Sequence, residues 1–258
     1  MTLLEVTGVA KSFGGVHAVK DVSFRVERGT VKALIGPNGA GKTTLFNLLS
    51  GVLAPDAGQV AFRGRRIDGR PPHAIAALGI ARTFQHIRLF AGMTALENVM
   101  VGRHVRSRAG FVAGLLHLPF TWREEREIRR RAEEALERVG IPHLAGADAT
   151  SLSYGQQRAV ELARALALEP ELLLLDEPAA GLNMRETAEL AALVTRLRDG
   201  GITVLLVEHD MSLVMGISDE VLVLSYGEKI ADAAPATVQR DPGVIRVYLG
   251  DEDDASAA

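Results

Sequence analysis

The sequence predicts an α/β fold: a mainly parallel sheet covered by helices on both faces, with an antiparallel β edge and an inserted α-helical subdomain. Three observations predict it. Near-continuous apolar runs at 31–35, 172–176 and 202–207 have the length of strands buried on both faces. These strands alternate with helical patterns, the arrangement that builds parallel sheets. Before about residue 65 the apolar residues instead alternate with polar ones, as at Val22, Phe24 and Val26, which is the texture of antiparallel strands.

Taken in order, Val22 to Val26 leads through the turn Glu27-Arg28-Gly29-Thr30 into the buried strand 31–35. A glycine-rich turn, 36–41, follows, and then helical residues 42–50 with Gly51 placed to stop them. Pro55-Asp56-Ala57-Gly58 is a turn, and residues 59–62 return as a short strand. From residue 78 to about 140 the texture is helical. There Thr121-Trp122-Arg123-Glu124 reads as a capping box, and Ile128, Ala132, Ala135, Leu136 and Val139 recur at helical spacing until Gly140 and Pro142. Glu125 with Arg129 and Glu127 with Arg131 sit four apart and are expected to support that helix from solvent. Beyond Gln156 come a helix to about 168, the strand 172–176, a helix after Arg185 and the strand 202–207. The expected division is one domain of 258 residues: a core of 1–84 and 153–250, a helical subdomain of 85–152, and a frayed acidic tail, 251–258.

Composition narrows the function. With 47% hydrophobic and 24% charged residues this is an ordinary globular chain. An aromatic share of 5% does not furnish a base-stacking platform, and a net charge of -3 gives no overall attraction to nucleic acid. The chain has no cysteine, which removes disulfides and thiolate chemistry and fits a reducing compartment. Its amino terminus, Met1-Thr2-Leu3-Leu4-Glu5, lacks the basic start and apolar stretch of a secretory signal. No uncharged apolar run reaches the ~20 residues that span a bilayer. The longest, 109–120, is interrupted by His117, so any membrane role is expected to run through a partner chain.

Gly36-Pro37-Asn38-Gly39-Ala40-Gly41-Lys42-Thr43, between a strand and a helix, matches G-x-x-x-x-G-K-[ST] in the context that this motif requires. Its glycines let backbone amides close on phosphates, and the helix start adds partial positive charge. Lys42 is placed to hold the β and γ phosphates and Thr43 to ligate magnesium, with Thr44 next in the same turn. Leu172-Leu173-Leu174-Leu175-Asp176-Glu177-Pro178 supplies the second half of such a site. Asp176 falls at a strand's carboxyl end, where parallel sheets bind ligands, and can reach a magnesium shell. Glu177 is placed to polarise an attacking water as general base. Alone, Asp-Glu-Pro is also a helix cap; beside the phosphate loop it points to a nucleoside triphosphatase.

Leu152-Ser153-Tyr154-Gly155-Gln156 closely resembles the signature of the ABC family of ATPases, and the resemblance covers residues 3–250. It implies a phosphate-loop NTPase with a RecA-like core, binding ATP and Mg2+. In that family Ser153, Tyr154, Gly155 and Gln156 of one chain would close on the γ phosphate held by a second; Tyr154 stands where glycine is usual. Phe13 resembles the aromatic residue that stacks on adenine. Gln85 resembles the glutamine that joins the core to the helical insert and touches magnesium and water. His209 resembles the switch histidine that orients the water. The implied catalytic set is thus Glu177, His209 and Gln85, and the implied magnesium set Thr43, Gln85 and Asp176. Ala180-Gly181-Leu182-Asn183 occupies the position of the loop coupling the two nucleotide sites.

Within the family, Ala81-Arg82-Thr83-Phe84-Gln85-His86, Ala179-Ala180-Gly181-Leu182-Asn183 and Val244-Ile245-Arg246-Val247-Tyr248-Leu249-Gly250 look most like the G-type ATPase subunits of branched-chain amino-acid uptake systems. Related cassettes for urea uptake and lipopolysaccharide export share several of these segments. The implied partners are a second copy or a paralogous ATPase subunit, transmembrane permease subunits and, indirectly, a substrate-binding protein. The implied location is peripheral, on the cytoplasmic face of the inner membrane. The apolar stretch 109–116, after the basic residues 103–108, is expected to lie beside the membrane partner. A phosphate-loop kinase or GTPase would not need the Ser153 pentapeptide, and a purely regulatory ATP-binding module would have Lys42 or Glu177 replaced.

Overall fold

Among the described residues of the computed structural model, which are 1–85, 87–103 and 119–249, ten strands divide between two sheets. Strands β1 (Thr2–Phe13), β2 (Val16–Glu27), β4 (Ala57–Phe62) and β5 (Arg65–Arg66) form an antiparallel sheet in the order β2-β1-β4-β5. Strands β3 (Val31–Ile35), β6 (Ile80–Arg82), β7 (Leu172–Asp176), β8 (Thr203–Val207), β9 (Glu220–Ser225) and β10 (Glu228–Ala233) make the second sheet. Its order is β10-β9-β3-β8-β7-β6, and every pairing is parallel except that of β10 with β9.

The predominantly apolar strands have two hydrophobic faces because each face meets a different core. Val31, Ala33 and Ile35 of β3, Leu173 and Leu175 of β7, and Val204 and Leu206 of β8 enter one cluster. Leu34, Leu172, Leu174, Leu205 and Val207 enter the other, packed with β1, β2 and helix α1 (Lys42–Leu49). Complete burial of each leucine contributes ~1.5–3 kcal/mol.

Helices α2 (Pro72–Ala77), α3 (Ala95–Arg103) and α4 (Pro119–Arg138) lie between β4 and β7 in the chain. Helices α5 (Tyr154–Leu166), α6 (Met184–Asp199), α7 (Met211–Ile217), α8 (Pro235–Val238) and α9 (Pro242–Leu249) follow. Leu96 and Val99 of α3 and Ala132, Ala135 and Leu136 of α4 share the first cluster with the sheet and α5. The stretch between the two halves of the chain therefore has no core separate from the sheet.

Several boundaries differ from those expected. The stretch from 78 contains β6, whose Ile80, Ala81 and Arg82 pair with Leu172, Leu173 and Leu174; three residues are too few for a strand period to show against helical surroundings. Among the described residues helix α4 covers Pro119–Arg138, so Thr121 is inside it rather than capping it. Helix α5 starts two residues before 156 and ends at Leu166. On α4 the Glu127–Arg131 pair closes at 2.7 Å. Hydrogen bonds from Arg130, and then Arg131, hold the Glu127 carboxyl down at about 2. Residues 104–118, which include the apolar stretch expected beside a membrane partner, and the tail 250–258 lie outside the described residues.

Candidate active site

Strand β3 ends at Ile35, and the loop that follows is shaped by close approach. Gly36 and Gly41 have φ of 150° and 99°. A Cβ at Gly36 would meet the Leu224 carbonyl oxygen at 2.1 Å, and one at Gly41 the Ala18 oxygen at 2.2 Å. Glycine is required at both positions because the loop is pressed between β9 and β2. Gly227, in the β9–β10 turn, donates to Ala40 O at 3.0 Å and accepts from Lys20 N at 2.8 Å. Helix α1 begins without a side-chain cap, so its first-turn amides stay available to an anion. Lys42 is buried and donates to the carbonyls of Gly36 (2.6 Å) and Pro37 (2.9 Å). Burial lowers its pKa, while the Glu177 carboxylate pulls it back up. Thr43 is exposed and Thr44 half-buried beside it; Pro37 is half-buried and Asn38 and Gly39 are exposed on the loop's outer side.

Strand β7 delivers the carboxylates. Asp176 is buried and accepts from Arg82 Nη2 at 2.8 Å. Arg82 Nη1 also donates to Asn47 Oδ1 (2.7 Å) and Ser50 Oγ (2.8 Å), tying Asp176 to α1. Glu177 has φ 47°, a left-handed conformation costing a non-glycine residue about 1–3 kcal/mol. The turn is fixed by Glu177 N donating to Val207 O (3.0 Å) and Ala180 N donating to Glu177 O (3.1 Å). Its carboxylate accepts from Gln85 Nε2 at 2.9 Å on one oxygen and lies 2.8 Å from His209 Nε2 on the other. Burial raises the Glu177 pKa, but the hydrogen bonds from Gln85 and His209, with the charge of Lys42, outweigh it and hold the group below its ordinary 4.5. The Glu177 carboxyl is therefore ionised at neutral pH.

The structure thus brings together Lys42, Gln85, Glu177 and His209, residues that are widely separated in sequence. Phe13 ends β1 with its ring 46% exposed and the Lys11 ammonium 5.7 Å from the ring centre. No group of three or more His, Cys, Asp or Glu side chains able to hold a metal occurs among the described residues. The donors at hand, the Asp176 carboxylate, the Thr43 hydroxyl and the Gln85 amide oxygen, suit a hard divalent cation that shares its shell with phosphates and water.

The Ser153 segment is built differently. Ser153 caps α5, its Oγ accepting from Gln156 N (3.4 Å) while Gln156 Oε1 accepts from Ser153 N (3.0 Å). Gly155 packs so tightly that a Cβ would lie 2.7 Å from Glu186 Oε1. Tyr154 lies over Gly181, where a Cβ would come within 2.9 Å of its ring, and the Arg158 guanidinium lies 5.7 Å from its centroid. This accounts for tyrosine at a position where glycine was expected: the ring fills the step between α5 and the 180–183 loop. Ser153, Gly155 and Gln156 line a cavity of about 540 Å³ with Thr83, Pro178 and Glu186. Another groove, of about 450 Å³, is lined by Val52, Ile75, Phe84, Phe90, Val101 and Leu168, with Phe84 and Phe90 exposed.

Sequence reasoning did not assign roles to Arg82, Arg158, Glu161 or Glu208. Glu208 is buried and bridges two loops, accepting from Ala179 N (2.8 Å) and His209 N (2.9 Å). The available signal was a charged residue next to each apolar strand end or on the inward side of a helix.

Comparison with known proteins matches this architecture. Residues 19–180 match the ABC transporter family, and residues 228–254 a family described as branched-chain amino acid ATP-binding cassette transporter. The chain belongs to the ABC transporter family; it is an ATP-binding and ATP-hydrolysing transporter subunit. It is 47% identical over 250 residues to a high-affinity branched-chain amino acid transport ATP-binding protein, BraF, of Pseudomonas aeruginosa, covering 96% of this chain and 98% of that one. It is 46% identical over 250 residues to the corresponding LivG protein of Escherichia coli, with the same coverage. A nucleotide-free ATP-binding cassette from an ABC transporter superposes with TM-score 0.85 at 33% identity, covering 97% of this chain and 100% of that one. A cassette in its ADP conformation gives 0.84, at 33% identity and 97% and 99% coverage. Among the described residues no helix is long and apolar enough to cross a membrane.

Proposed function

We propose that this chain energises the uptake of branched-chain amino acids across the inner membrane, working from its cytoplasmic face as one of a pair of ATPase subunits beneath transmembrane permease chains. The observation that carries the ATPase chemistry is the Gln85–Glu177–His209 hydrogen-bonded set beside Lys42. Lys42 exchanges its two loop carbonyls for phosphate oxygens, a charge-assisted contact stronger than the one it leaves. The amides of 36–44 take the remaining phosphate charge, and Phe13 stacks on the adenine. Asp176, Thr43 and Gln85 hold Mg2+, which supplies neutralisation of phosphate charge when bound. Glu177 takes the proton of the attacking water, while His209 and Gln85 set the water's position.

Ser153, Tyr154, Gly155 and Gln156 complete the site of the partner ATPase, a second copy or a paralogue; in this chain Ser153, Gly155 and Gln156 line a cavity to which no residue of the phosphate loop contributes. The groove at Phe84 and Phe90 adjoins Gln85 and is the place for a permease segment. In this reading 1–84 and 153–250 form the nucleotide-binding core, 85–152 the helical subdomain and 251–258 a tail. The cargo follows from the BraF and LivG relatives and from the match over 228–254; a substrate-binding protein delivers it to the permease. The test is to reconstitute the chain with its co-purifying membrane subunits in vesicles and measure ATP-driven leucine uptake. Leucine uptake abolished by Glu177→Gln is expected; ATP-driven movement of urea or lipopolysaccharide instead would overturn the cargo and leave the ATPase reading standing.

A further inference from the structure

Gln85 follows β6 where 83–85 form neither strand nor helix, yet its side-chain amide meets Glu177 at 2.9 Å. An exposed glutamine on such a segment has no intrinsic reason to hold that position. What fixes the backbone on both sides of it comes from α5. Arg158 Nη1 donates to Phe84 O at 2.8 Å and Arg158 Nη2 to Gln85 O at 2.7 Å. Glu161 accepts from Phe84 N at 3.3 Å and from Arg158 Nη1 at 3.0 Å. The two residues are one turn apart on the same face of α5, so a single planar guanidinium and a single carboxylate grip the backbone of two consecutive residues.

We propose that Arg158 and Glu161 are positioning residues for ATP hydrolysis, holding Phe84 and Gln85 so that the Gln85 side chain reaches Glu177. The inference rests on the reading of Glu177 as the base and Gln85 as its partner. Stability alone is a poor explanation for the pair. Arg158 is 8% exposed and Glu161 2%, and isosteric apolar residues in such places often stabilise more than a buried ion pair. Arg158 Nε is moreover buried without a hydrogen-bond partner. The pair also sits about one and two turns beyond Gly155, on the helix whose start is the proposed half-site for the partner ATPase. Whatever seats that helix start thereby acts on the position of Gln85 in the same chain.

The test is a double-mutant cycle on the full chain, reading kcat, KM and ATP affinity. Arg158→Lys keeps the charge but cannot span both carbonyls. It is expected to lower kcat by ~10- to 100-fold, since a misplacement of about 1 Å near the chemistry has effects of that size. ATP affinity should change by no more than about twofold. In a Gln85→Ala background the same substitution should produce almost no further loss, because the group it positions is gone. Glu161→Gln, which keeps the acceptor for Phe84 N–H and removes the charge facing Arg158, should give a smaller loss with the same dependence on Gln85, and it carries the test if Arg158→Lys lowers the unfolding midpoint. Equal fold losses with and without Gln85 would show a merely structural role and overturn the proposal. A Gln85→Ala chain with unaltered kcat would overturn it too, and would show that the error lies in the underlying assignment of Gln85.

Discussion

The loop at 36–44 and the segment at 152–156 both offer a helix start, each proposed above to meet phosphate, yet they are built from opposite materials. The first is backbone: three glycines with positive φ, carbonyls of neighbouring strands within 2.2 Å of where a Cβ would be, and a helix start without a side-chain cap. The second is held by side chains: a reciprocal Ser153–Gln156 capping box, Tyr154 over Gly181 and Gly155 against Glu186. A cradle made of backbone is finished by folding, whereas a capped helix start backed by side chains can be displaced as a unit. In the proposed arrangement the difference separates a nucleotide site fixed by the fold from a movable half-site offered to a partner.

The largest expected effect is at the complete site. Lys42→Ala removes the ammonium proposed to hold phosphate and should weaken ATP binding by ~10²- to 10⁴-fold. Its unfolding midpoint should not fall, because the substitution also removes an ammonium whose burial is unfavourable. Calorimetry with ATP and a thermal scan check both parts.

Next is the step that joins the halves. Glu177→Gln should slow hydrolysis by ~10²-fold or more while ATP binding survives, and the arrested chain should run as an ATP-dependent dimer on a sizing column. Adding Ser153→Arg should return it to monomer by crowding the half-site. A dimer indifferent to that second change would sink the two-chain arrangement.

Glycine substitutions sharpen the contrast further. Gly36→Ala sets a methyl against a backbone carbonyl that cannot yield and should lower stability by about 3 kcal/mol or more, with loss of ATP binding. Gly155→Ala meets only the end of the Glu186 side chain. It should cost about 1 kcal/mol, the size of a lost helix cap, and leave ATP binding by the isolated chain intact.

The smallest effect is a pH dependence. Burial raises the Glu161 pKa above its ordinary 4.5, with Arg158 opposing. A carboxyl raised in the folded state contributes stability below pH 4.5 that is lost as pH rises through the folded pKa. Relative to Glu161→Gln, the unsubstituted chain should therefore lose midpoint as pH climbs above 4.5, as thermal scans across that window would record.

The backbone-built region was the more legible in sequence, since glycine spacing and a run of four leucines ending in Asp176 are local patterns with few alternative meanings. The side-chain-built region was legible only as Ser153, Gly155 and a helix. Arg158 and Glu161 looked like any charged residues on a helix, because their meaning comes from peptide groups more than seventy residues away. Strand β6 was hidden for a related reason: its three residues are a strand only because Leu172, Leu173 and Leu174 lie alongside. Thr121 and Glu124 satisfy a capping pattern in sequence, yet Thr121 lies within α4, since a local pattern does not say whether the chain before it is already helical.

Strands that are apolar on both faces raise a question of alignment. Sliding β7 by one residue would carry each leucine from one core to the other and still bury leucine, so hydrophobicity does little to fix its register. Polar groups at the strand ends do so instead. Asp176 answers Arg82 at 2.8 Å, Thr203 Oγ1 accepts from Gly29 N at 2.9 Å, and buried Lys32 reaches Glu220 at 3.0 Å and Asp232 at 2.6 Å. These contacts act as locating pins for otherwise interchangeable rods. Asp176 therefore has two duties, and the carboxylate assigned to magnesium is also the mark by which β7 finds its alignment.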